Sequence, residues 1–382
     1  MKVMIVVTHL LGTGHLSRAL TLGRAYTAAG HRALIVSGGF PAPQLDTSGV
    51  ELVTIPALRS DGTNFTRLMT ETGLAADAAF LANRQRTVLQ ILSDYAPDVL
   101  ITELFPFGRR VLKSEFQALL QAAVDMASRP LVLCSIRDIL APPSKPSKSI
   151  ETVRLVQRFF DGVLVHSDPQ VTTLDASWPV NDALADKLRY TGFVAPDPAD
   201  PHPDGVGTGE ILVSAGGGAV GGPIFRCAIE ASRLMPNRHW RLLVGGRRAE
   251  AEAEIKALAE LAITTPVTIE PARPDFRQIL CNAAASISMC GYNTAMDLLQ
   301  TGVPAVVVPF DAGSEVEQGL RADALSALPG LTQISSADLS PQILVDALQR
   351  VLHEGSRTAS DFSFDGAFRS VQITQALLEG AR

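Results

Sequence analysis

Short apolar runs alternate with longer amphipathic stretches along most of the chain. This alternation is typical of a parallel β-sheet whose two faces are covered by helices. The sequence therefore predicts an α/β protein. Strands are expected at residues 2–8, 32–37, 52–55, 98–102, 130–135 and 163–166 in the first half, and at 210–214, 240–244, 267–269, 285–288 and 305–308 in the second.

The length of 382 residues is about two and a half times the ~150 residues that one domain commonly takes, which favours two domains. Between residues 193 and 209 the pattern is interrupted by four prolines, which remove backbone donors and favour extended chain. We expect a first domain at 1–195, a proline-rich linker at 196–207 and a second domain at 208–382. The alternative for the last helix of the second domain is that it packs back on the first domain.

Composition excludes several classes of function. There are 33 basic and 39 acidic residues, a net charge of -6, which does not suit a protein that wraps a nucleic acid. The four cysteines form no C-x-x-C pair, so neither a disulfide framework nor a zinc knuckle is predicted, and a cytoplasmic location fits best. No run approaches the ~20 apolar residues of a membrane span, so we expect membrane contact to be at most peripheral, at the inner face.

Glycine-containing turns follow the predicted strands, where open α/β sheets bind ligands. The first runs from Thr8 to Arg18 and opens a helix with Gly12, Gly14 and His15. It is not a dinucleotide-binding turn, because Ser17 replaces the third glycine and the second strand lacks a terminal acid. In the first helical turn, the helix dipole would keep His15 neutral and available as a base. The alternative is that His15 only caps the helix.

Two further turns occur in the second half. Residues 214–223 carry five glycines directly after a strand and before Pro223, which suggests close approach of the backbone to a phosphate or sugar. Residues 289–299 place Asn293 and Thr294 at a helix start, where N–H groups can receive a pyrophosphate, and Asp297 one turn later. The alternatives are a surface loop for the first turn and simple dipole stabilisation by Asp297 for the second.

Taken together, these motifs resemble the GT-B glycosyltransferases, and most closely the MurG-like branch with a family 28 C-terminal domain. The order of a helix-start nucleotide motif at 288–297, a Gly-x-Pro at 302–304 and the Glu-Val-Glu-Gln sequence at 315–318 is the most specific part of the resemblance. It implies two Rossmann-like, doubly wound domains that face each other across a cleft. The first would bind the acceptor and the second a nucleotide sugar.

The resemblance also implies the chemistry. An unidentified hydroxyl acceptor would be deprotonated by His15 or Glu103 and would attack the anomeric carbon of a nucleotide diphosphate sugar, expected to be a UDP-sugar, with inversion. Glu103 directly follows the buried strand at 98–102, and its alternative role is an ion pair with Arg109, Arg110 or Arg137. No Asp-x-Asp motif is present, so no metal is expected, and no cofactor beyond the sugar nucleotide. The donor site is assigned to Gly14, Ser214, Gly216, Gly217, Gly218, Arg273, Cys290, Gly291, Tyr292, Asn293, Thr294, Asp297, Glu317 and Gln318. The acceptor side is assigned to Thr13, Arg18, Phe107, Arg109 and Arg137.

Alternatives stay open at this point. Where this chain has Asp297 the family usually has Glu, which leaves the nucleotide preference unsettled. Residues 104–113 mix aromatic and basic side chains, which suits either a lipid-linked acceptor or inward packing. The turn at 14–18 also resembles that of a GT-B-like nucleotide-sugar hydrolase, and a non-catalytic sugar-nucleotide-binding protein is the third reading.

Overall fold

The chain forms two compact α/β units in a computed structural model. The first comprises Met1–Pro196 with Ser363–Arg382, and the second Asp197–Phe362. No helix in the described part of the chain is long and apolar enough to cross a membrane. The structure describes residues 1–10, 13–43, 45–61, 64–215, 221–246, 248–263, 265–311, 315–358 and 362–380.

An eight-stranded sheet forms the centre of the first unit, in the order β4-β3-β2-β1-β5-β6-β7-β8. Its strands are β1 (Lys2–Val7), β2 (Arg32–Gly39), β3 (Glu51–Asp61), β4 (Asn64–Met69), β5 (Val99–Glu103), β6 (Leu131–Arg137), β7 (Gly162–His166) and β8 (Leu188–Tyr190). The helices between them are α1 (Gly14–Ala28), α2 (Ala78–Tyr95), α3 (Lys113–Val124), α4 (Pro146–Phe159) and α5 (Asp182–Ala185). All pairings are parallel except that of β3 with β4.

A six-stranded, fully parallel sheet forms the centre of the second unit, in the order β11-β10-β9-β12-β13-β14. Its strands are β9 (Ile211–Ser214), β10 (Trp240–Val244), β11 (Val267–Pro271), β12 (Ala285–Ser288), β13 (Ala305–Val307) and β14 (Leu331–Gln333). Its helices are α6 (Gly222–Leu234), α7 (Arg248–Leu261), α8 (Phe276–Asn282), α9 (Tyr292–Thr301), α10 (Glu317–Leu325) and α11 (Pro341–Glu354). The chain ends in α12 (Gly366–Gly380).

Strand residues of β1 alternate between two cores, as a sheet covered on both faces requires. Met4 and Val6 enter the core that contains residues of α2, α3 and α4, whereas Ile5 and Val7 enter the core beneath α1 and α12. The predicted α/β class is therefore confirmed. In each sheet the strand order reverses once, between β1 and β5 and between β9 and β12, and parallel sheets bind ligands at such switch points.

The sequence analysis predicted too few strands, and too short ones, at the edges of both sheets. The third strand is predicted only at 52–55, but β3 runs to Asp61 and returns through the antiparallel β4. The edge strands β8 and β14 were not predicted, because each has only three residues and no apolar run distinguishes it from loop. The helix predicted at 15–29 is α1, and Gly30 has the left-handed φ of +80° that its C-terminal position requires.

The proline-rich segment predicted as a linker at 196–207 is packed against the second unit. His202 Nε2 lies 3.1 Å from Asp275 Oδ2, and the Asn282 amide donates to the Val206 carbonyl at 3.0 Å. At the other end of the chain, α12 packs on α1, where Tyr26 Oη lies 2.6 Å from Thr374 Oγ1. The second unit therefore spans 197–362 rather than the expected 208–382.

Arg84 of α2 joins the carboxyl ends of β1 and β2 to the middle of β3. Its fully buried guanidinium donates to the carbonyls of Gly38 and Pro56 and to Thr8 Oγ1, and its Nε lies 2.7 Å from Glu115 Oε2 of α3. A Cβ at position 38 would lie 2.0 Å from this guanidinium, so only glycine fits there. The cation thereby holds the turn after β1 next to β2, β3 and α3.

Replacing Arg84 should strongly destabilise the first unit. Arg84→Ala leaves the Glu115 carboxylate and two backbone carbonyls buried without a donor, which is expected to lower the free energy of unfolding by ~3–5 kcal/mol. Urea denaturation measures this effect. Arg86→Ala on the exposed face of the same helix is the matched control and should change stability by less than ~0.5 kcal/mol. Equal effects of the two variants would contradict this role of Arg84.

Candidate active site

His15 and Glu103 meet at the switch point of the first sheet. Glu103 is the last residue of β5, and His15 is the second residue of α1, which follows β1. Because β1 and β5 are parallel neighbours, both side chains lie beyond the same edge of the sheet. His15 Nδ1 is 2.8 Å from Glu103 Oε1. The structure thus brings together the two candidate bases predicted from the sequence.

Glu103 is only 1% exposed and is surrounded by donors. Besides His15, the Arg18 guanidinium donates to Oε1 and the Ser135 hydroxyl donates to Oε2 at 2.6 Å. Burial by itself would raise the pKa of Glu103, but the charge of Arg18 and the hydrogen bonds from His15 and Ser135 outweigh it and hold that pKa well below its ordinary value. Glu103 is therefore an ionised carboxylate that only accepts hydrogen bonds.

The state of Glu103 determines the tautomer of His15. An ionised carboxylate has no proton to donate, so His15 Nδ1 carries the proton and donates it to Oε1. The lone pair of His15 is then on Nε2, which has no hydrogen-bond partner in the part of the chain that the structure describes. The side chain is 15% exposed. A neutral imidazole whose second nitrogen keeps its lone pair is what a general base requires.

Arg109 adds a second cation to this site. Its φ of +59° is left-handed, and its Nε donates to the Thr8 carbonyl at 2.5 Å, which turns the guanidinium toward the loop after β1. Burial lowers the pKa of Arg109 to about 10, although Glu103 opposes the shift. Burial and then the charge of Arg109 in turn hold the pKa of His15 well below 6.5, against the pull of Glu103. His15 is therefore neutral at neutral pH.

Two of the residues assigned to the acceptor side are part of the protein interior instead. Arg18 is 5% exposed and is bound to Glu103, so its charge is already compensated. Phe107 is 3% exposed, and its ring makes an edge contact with Trp178 at 5.3 Å between ring centroids. Phe105 stacks on Phe116 at 4.7 Å in the same core. The aromatic side chains of 104–113 therefore pack inward, which corrects the alternative of a lipid-binding segment.

The other acceptor-side residues, Thr13 and Arg137, lie at the rim of the same sheet edge. Thr13 is the residue before α1, and no hydrogen bond from its side chain caps the helix within the described residues. Arg137 ends β6 and donates from Nε to the Ile139 carbonyl at 3.1 Å. Both side chains are partly exposed, so both remain predictions for acceptor contact.

In the second unit, Gln318 joins the loop before α9, which the resemblance assigned to the donor, to the loop after β13. Its Oε1 accepts from the backbone N–H groups of Cys290 and Phe310, each at 3.1 Å. Arg321, one turn later on α10, donates to the Cys290 carbonyl at 3.1 Å, and its guanidinium lies 5.8 Å from the ring centroid of Tyr292. Cys290 is fully buried, and its backbone N–H and carbonyl are bound by Gln318 and Arg321, so its assigned contact with the donor stays a prediction.

Helix α9 begins beside this bridge at an open glycine. Gly291 precedes the helix with a φ of −65°, and no side chain of the described residues caps the helix there. A Cβ built on Gly291 would meet no atom of the described residues within 4 Å, and the same holds for Gly14 at the start of α1. Packing among the described residues therefore does not require glycine at either position. Asn293 and Thr294 lie in the first turn of α9, as predicted.

Other donor assignments have partners within the protein. Asp297 Oδ1 accepts from Arg277 Nε at 2.8 Å, and Arg273 binds Asp275 through Nε at 2.9 Å and Nη2 at 2.6 Å. Burial raises the pKa of Asp297 to about 6, although Arg277 opposes this. Ser214 ends β9 and is buried, Glu317 is the first residue of α10, and Gly216, Gly217 and Gly218 lie outside the described residues.

Several residues of the site were missed by sequence reasoning. Ser135, His166 and Arg277 were not assigned to the site, although Ser135 and His166 occupy the carboxyl ends of β6 and β7, where ligand-site residues are expected. Their position at the ends of predicted strands is the sequence feature that could have identified Ser135 and His166. Nothing in the sequence indicates that Arg277 would pair with a residue 20 positions away, or that the Glu315 carboxylate would accept from the Glu317 N–H at 2.8 Å.

Solved structures share this fold over almost the whole chain. The Acinetobacter baumannii MurG aligns at a TM-score of 0.64, with 98% of this chain and 100% of that one covered and 14% of the sequence identical. The glycosyltransferase VinC, in complex with dTDP, aligns at 0.64, with 99% and 100% coverage and 14% identity. The predicted GT-B fold is therefore confirmed.

Sequence comparison adds a family match in the second half of the chain. Residues 213–370 match the glycosyltransferase family 28 C-terminal domain. The UDP-N-acetylglucosamine–N-acetylmuramyl-(pentapeptide) pyrophosphoryl-undecaprenol N-acetylglucosamine transferase of Brucella canis is 32% identical over 145 residues, which are 37% of this chain and 38% of that relative. These matches confirm the resemblance to MurG-like proteins with a family 28 C-terminal domain.

The charge of Arg109 should be measurable at His15. Arg109→Gln removes the cation that, after burial, most disfavours protonated His15, so the pKa of His15 should rise toward its ordinary value. A pH titration of ¹⁵N-histidine-labelled protein by NMR checks this. Arg110→Gln is the matched control, because Arg110 lies over the Trp178 ring at 5.5 Å and is not among the charges that act on His15. A His15 that titrates alike in both variants would contradict the assignment.

Proposed function

We propose that the protein is an inverting, metal-independent glycosyltransferase that moves a sugar from a nucleotide diphosphate sugar, most simply a UDP-sugar, to a hydroxyl acceptor. The observation that carries this proposal is the His15–Glu103 pair, in which a neutral imidazole has one nitrogen held by a carboxylate while the other has no hydrogen-bond partner among the described residues. The family 28 domain at residues 213–370 and the GT-B fold support a nucleotide sugar as the donor.

His15 is favoured over Glu103 as the base. The Glu103 carboxylate is buried and receives donors on both oxygens, so it has no lone pair directed at a substrate. His15 Nε2 takes the proton of the acceptor hydroxyl as the oxygen attacks the anomeric carbon and the nucleoside diphosphate leaves from the opposite face. The imidazolium that forms is stabilised by Glu103 through Nδ1–H.

The donor diphosphate is assigned to backbone donors rather than to cations. The first turn of α9 offers N–H groups and the positive end of the helix dipole, which stabilise the negative charge of a leaving diphosphate. Gln318 fixes the loop that leads into this turn, and its amide NH₂ and Glu317 are assigned to the sugar hydroxyls. The shape of the turn, not an ion, would orient the donor.

Removing the base should abolish turnover but not donor binding. His15→Asn is expected to lower kcat by ~10²–10⁴-fold, because proton transfer in the transition state is lost, with little change in KM for the sugar nucleotide. The assay supplies UDP-sugars with a panel of hydroxyl acceptors and follows nucleotide release. His353→Asn, at an exposed helix end in the second unit, is the matched control and should have no effect.

The same assay separates the rival functions. Release of free sugar without any acceptor, at the rate seen with one, would identify a nucleotide-sugar hydrolase. Donor binding without turnover on any acceptor would favour a non-catalytic sugar-nucleotide-binding protein. If His15→Asn transferred sugar to an acceptor with full activity, the proposed role of His15 as the base would be refuted.

A methyl group at position 291 should interfere with the ligand and not with the fold. Ala fits the backbone of Gly291 and its Cβ meets no atom of the residues that the structure describes within 4 Å, so Gly291→Ala should be at least as stable as the wild type. Donor affinity should fall about tenfold, because the methyl group occupies space next to the helix N–H groups. A thermal-shift series with UDP and UDP-sugars measures both quantities. Gly380→Ala, which also meets no atom within 4 Å, is the control, and equal UDP binding by both variants would refute this donor position.

A further inference from the structure

A second buried histidine lies behind the candidate active site. His166 ends β7 and is fully buried, with Nε2 2.9 Å from Ser135 Oγ and Nδ1 2.9 Å from Thr191 Oγ1. Ser135 in turn lies 2.6 Å from Glu103 Oε2. A continuous hydrogen-bonded chain therefore runs across the carboxyl ends of β5, β6 and β7 to the partner of His15.

The directions of the Ser135 and His166 protons follow from the carboxylate at the end of this chain. Ionised Glu103 only accepts, so the single Ser135 hydroxyl proton is directed at it. Ser135 Oγ then has only lone pairs left for His166, which must donate from Nε2. Burial, followed by the charge of Arg18, lowers the pKa of His166 to about 3, so the ring is neutral and Nδ1 keeps its lone pair. The Thr191 hydroxyl next to Nδ1 donates to the Gly192 carbonyl at 2.7 Å, so the protons of Ser135 and His166 are the ones that point toward Glu103.

This order has a consequence for His15. Oε1 of Glu103 is shared by His15 and Arg18, whereas Oε2 is held by Ser135. Without a donor on Oε2 the carboxylate could rotate, and the His15 ring would lose its fixed orientation. The donor also withdraws negative charge from the carboxylate, which weakens the pull of Glu103 on a proton at His15.

We propose that Ser135 and His166 are positioning residues for the reaction, which orient Glu103 and through it the His15 imidazole. The proposal rests on the function proposed above. His166 touches no reacting atom in this scheme. Its Nε2–H keeps the Ser135 hydroxyl directed at Oε2, in a buried chain where each donor strengthens the next.

Loss of the Ser135 hydroxyl should shift the pH dependence of kcat/KM in one definite direction. Loss of the Ser135 donor removes a hydrogen bond to the ionised form of Glu103, so the pKa of Glu103 rises, and its stronger pull raises the pKa of His15 as well. The acidic limb of kcat/KM should then move to higher pH, because His15 must be neutral to act. The charged and titratable groups that face this pair are Arg18 from α1, Arg109 from the loop after β5, Cys134 from β6 and His166 from β7.

The first measurement needs no activity. In ¹⁵N-histidine-labelled full-length protein, long-range ¹H–¹⁵N spectra report the protonated nitrogen of each of the seven histidines, and His15→Asn and His166→Gln assign the two signals. We expect the proton of His15 on Nδ1 and that of His166 on Nε2. In Ser135→Ala the His15 signal should titrate at higher pH than in the wild type. Ser167→Ala, which removes an equally buried hydroxyl bonded to the Thr172 carbonyl, should leave it unchanged.

The second measurement is kinetic. Ser135→Ala should lower kcat about tenfold with KM for the sugar nucleotide unchanged, since a hydrogen bond to a charged group is lost. His166→Leu should act in the same direction, and His166→Gln, whose amide can donate to Ser135, should recover most of the rate. A merely structural role would instead change stability alone, without the split between kcat and KM or the rescue by Gln.

Different results would refute the positioning role of Ser135 and His166 and the role of His15 as the base. His166 protonated on Nδ1, or a Ser135→Ala variant whose His15 titration and kcat match those of Ser167→Ala, overturns the positioning role whatever the reaction is. If the histidine signals behave as expected while His15→Asn keeps full turnover, the hydrogen-bonded order is upheld and the proposed base is rejected.

Discussion

One buried carboxylate organises the first unit. Burying an ionised Glu103 without partners would cost several kcal/mol or force it to take up a proton. The carboxylate is instead satisfied from two sides, by Arg18 and His15 from α1 and by Ser135 from β6. Glu103 and Ser135 are paired in register across β5 and β6. The charge therefore fixes where α1 starts relative to the sheet, and this places His15 at the sheet edge.

The sequence predicted the fold and the two central residues of the site, but not their relation. Hydrophobic periodicity indicated strands and helices, and the position after a strand singled out His15 and Glu103. Their pairing depends on β5 being inserted next to β1, which brings together residues 88 apart in sequence. The same insertion buries Arg18 against Glu103. Because residue type alone does not tell a buried arginine from an exposed one, Arg18 was assigned to the acceptor.

The errors at Phe107 and Ser135 have a common origin. Aromatic residues among arginines suit a surface that binds a lipid, but Phe107 packs on Trp178 while Arg110 covers the same indole from outside. A serine within an apolar strand gives no signal by composition, yet Ser135 carries a hydrogen bond to the key carboxylate. In both cases the direction of a side chain, set by the pleat and by a neighbouring element, decides the role.

Asp297 indicates how the donor site differs from the pattern that the sequence resembles. The shorter carboxylate is bound by Arg277, whose guanidinium also donates to the Gln300 side chain at 2.6 Å and to the Asp197 carbonyl at 2.7 Å. Asp297 therefore ties α9 to α8 and to the segment with which the second unit begins. A ribose hydroxyl would have to compete with this ion pair, whereas a longer Glu could reach past it. Under the proposed function, recognition of the nucleotide would then depend more on the backbone of the α9 turn, whose neutral N–H donors a net charge of -6 does not reveal.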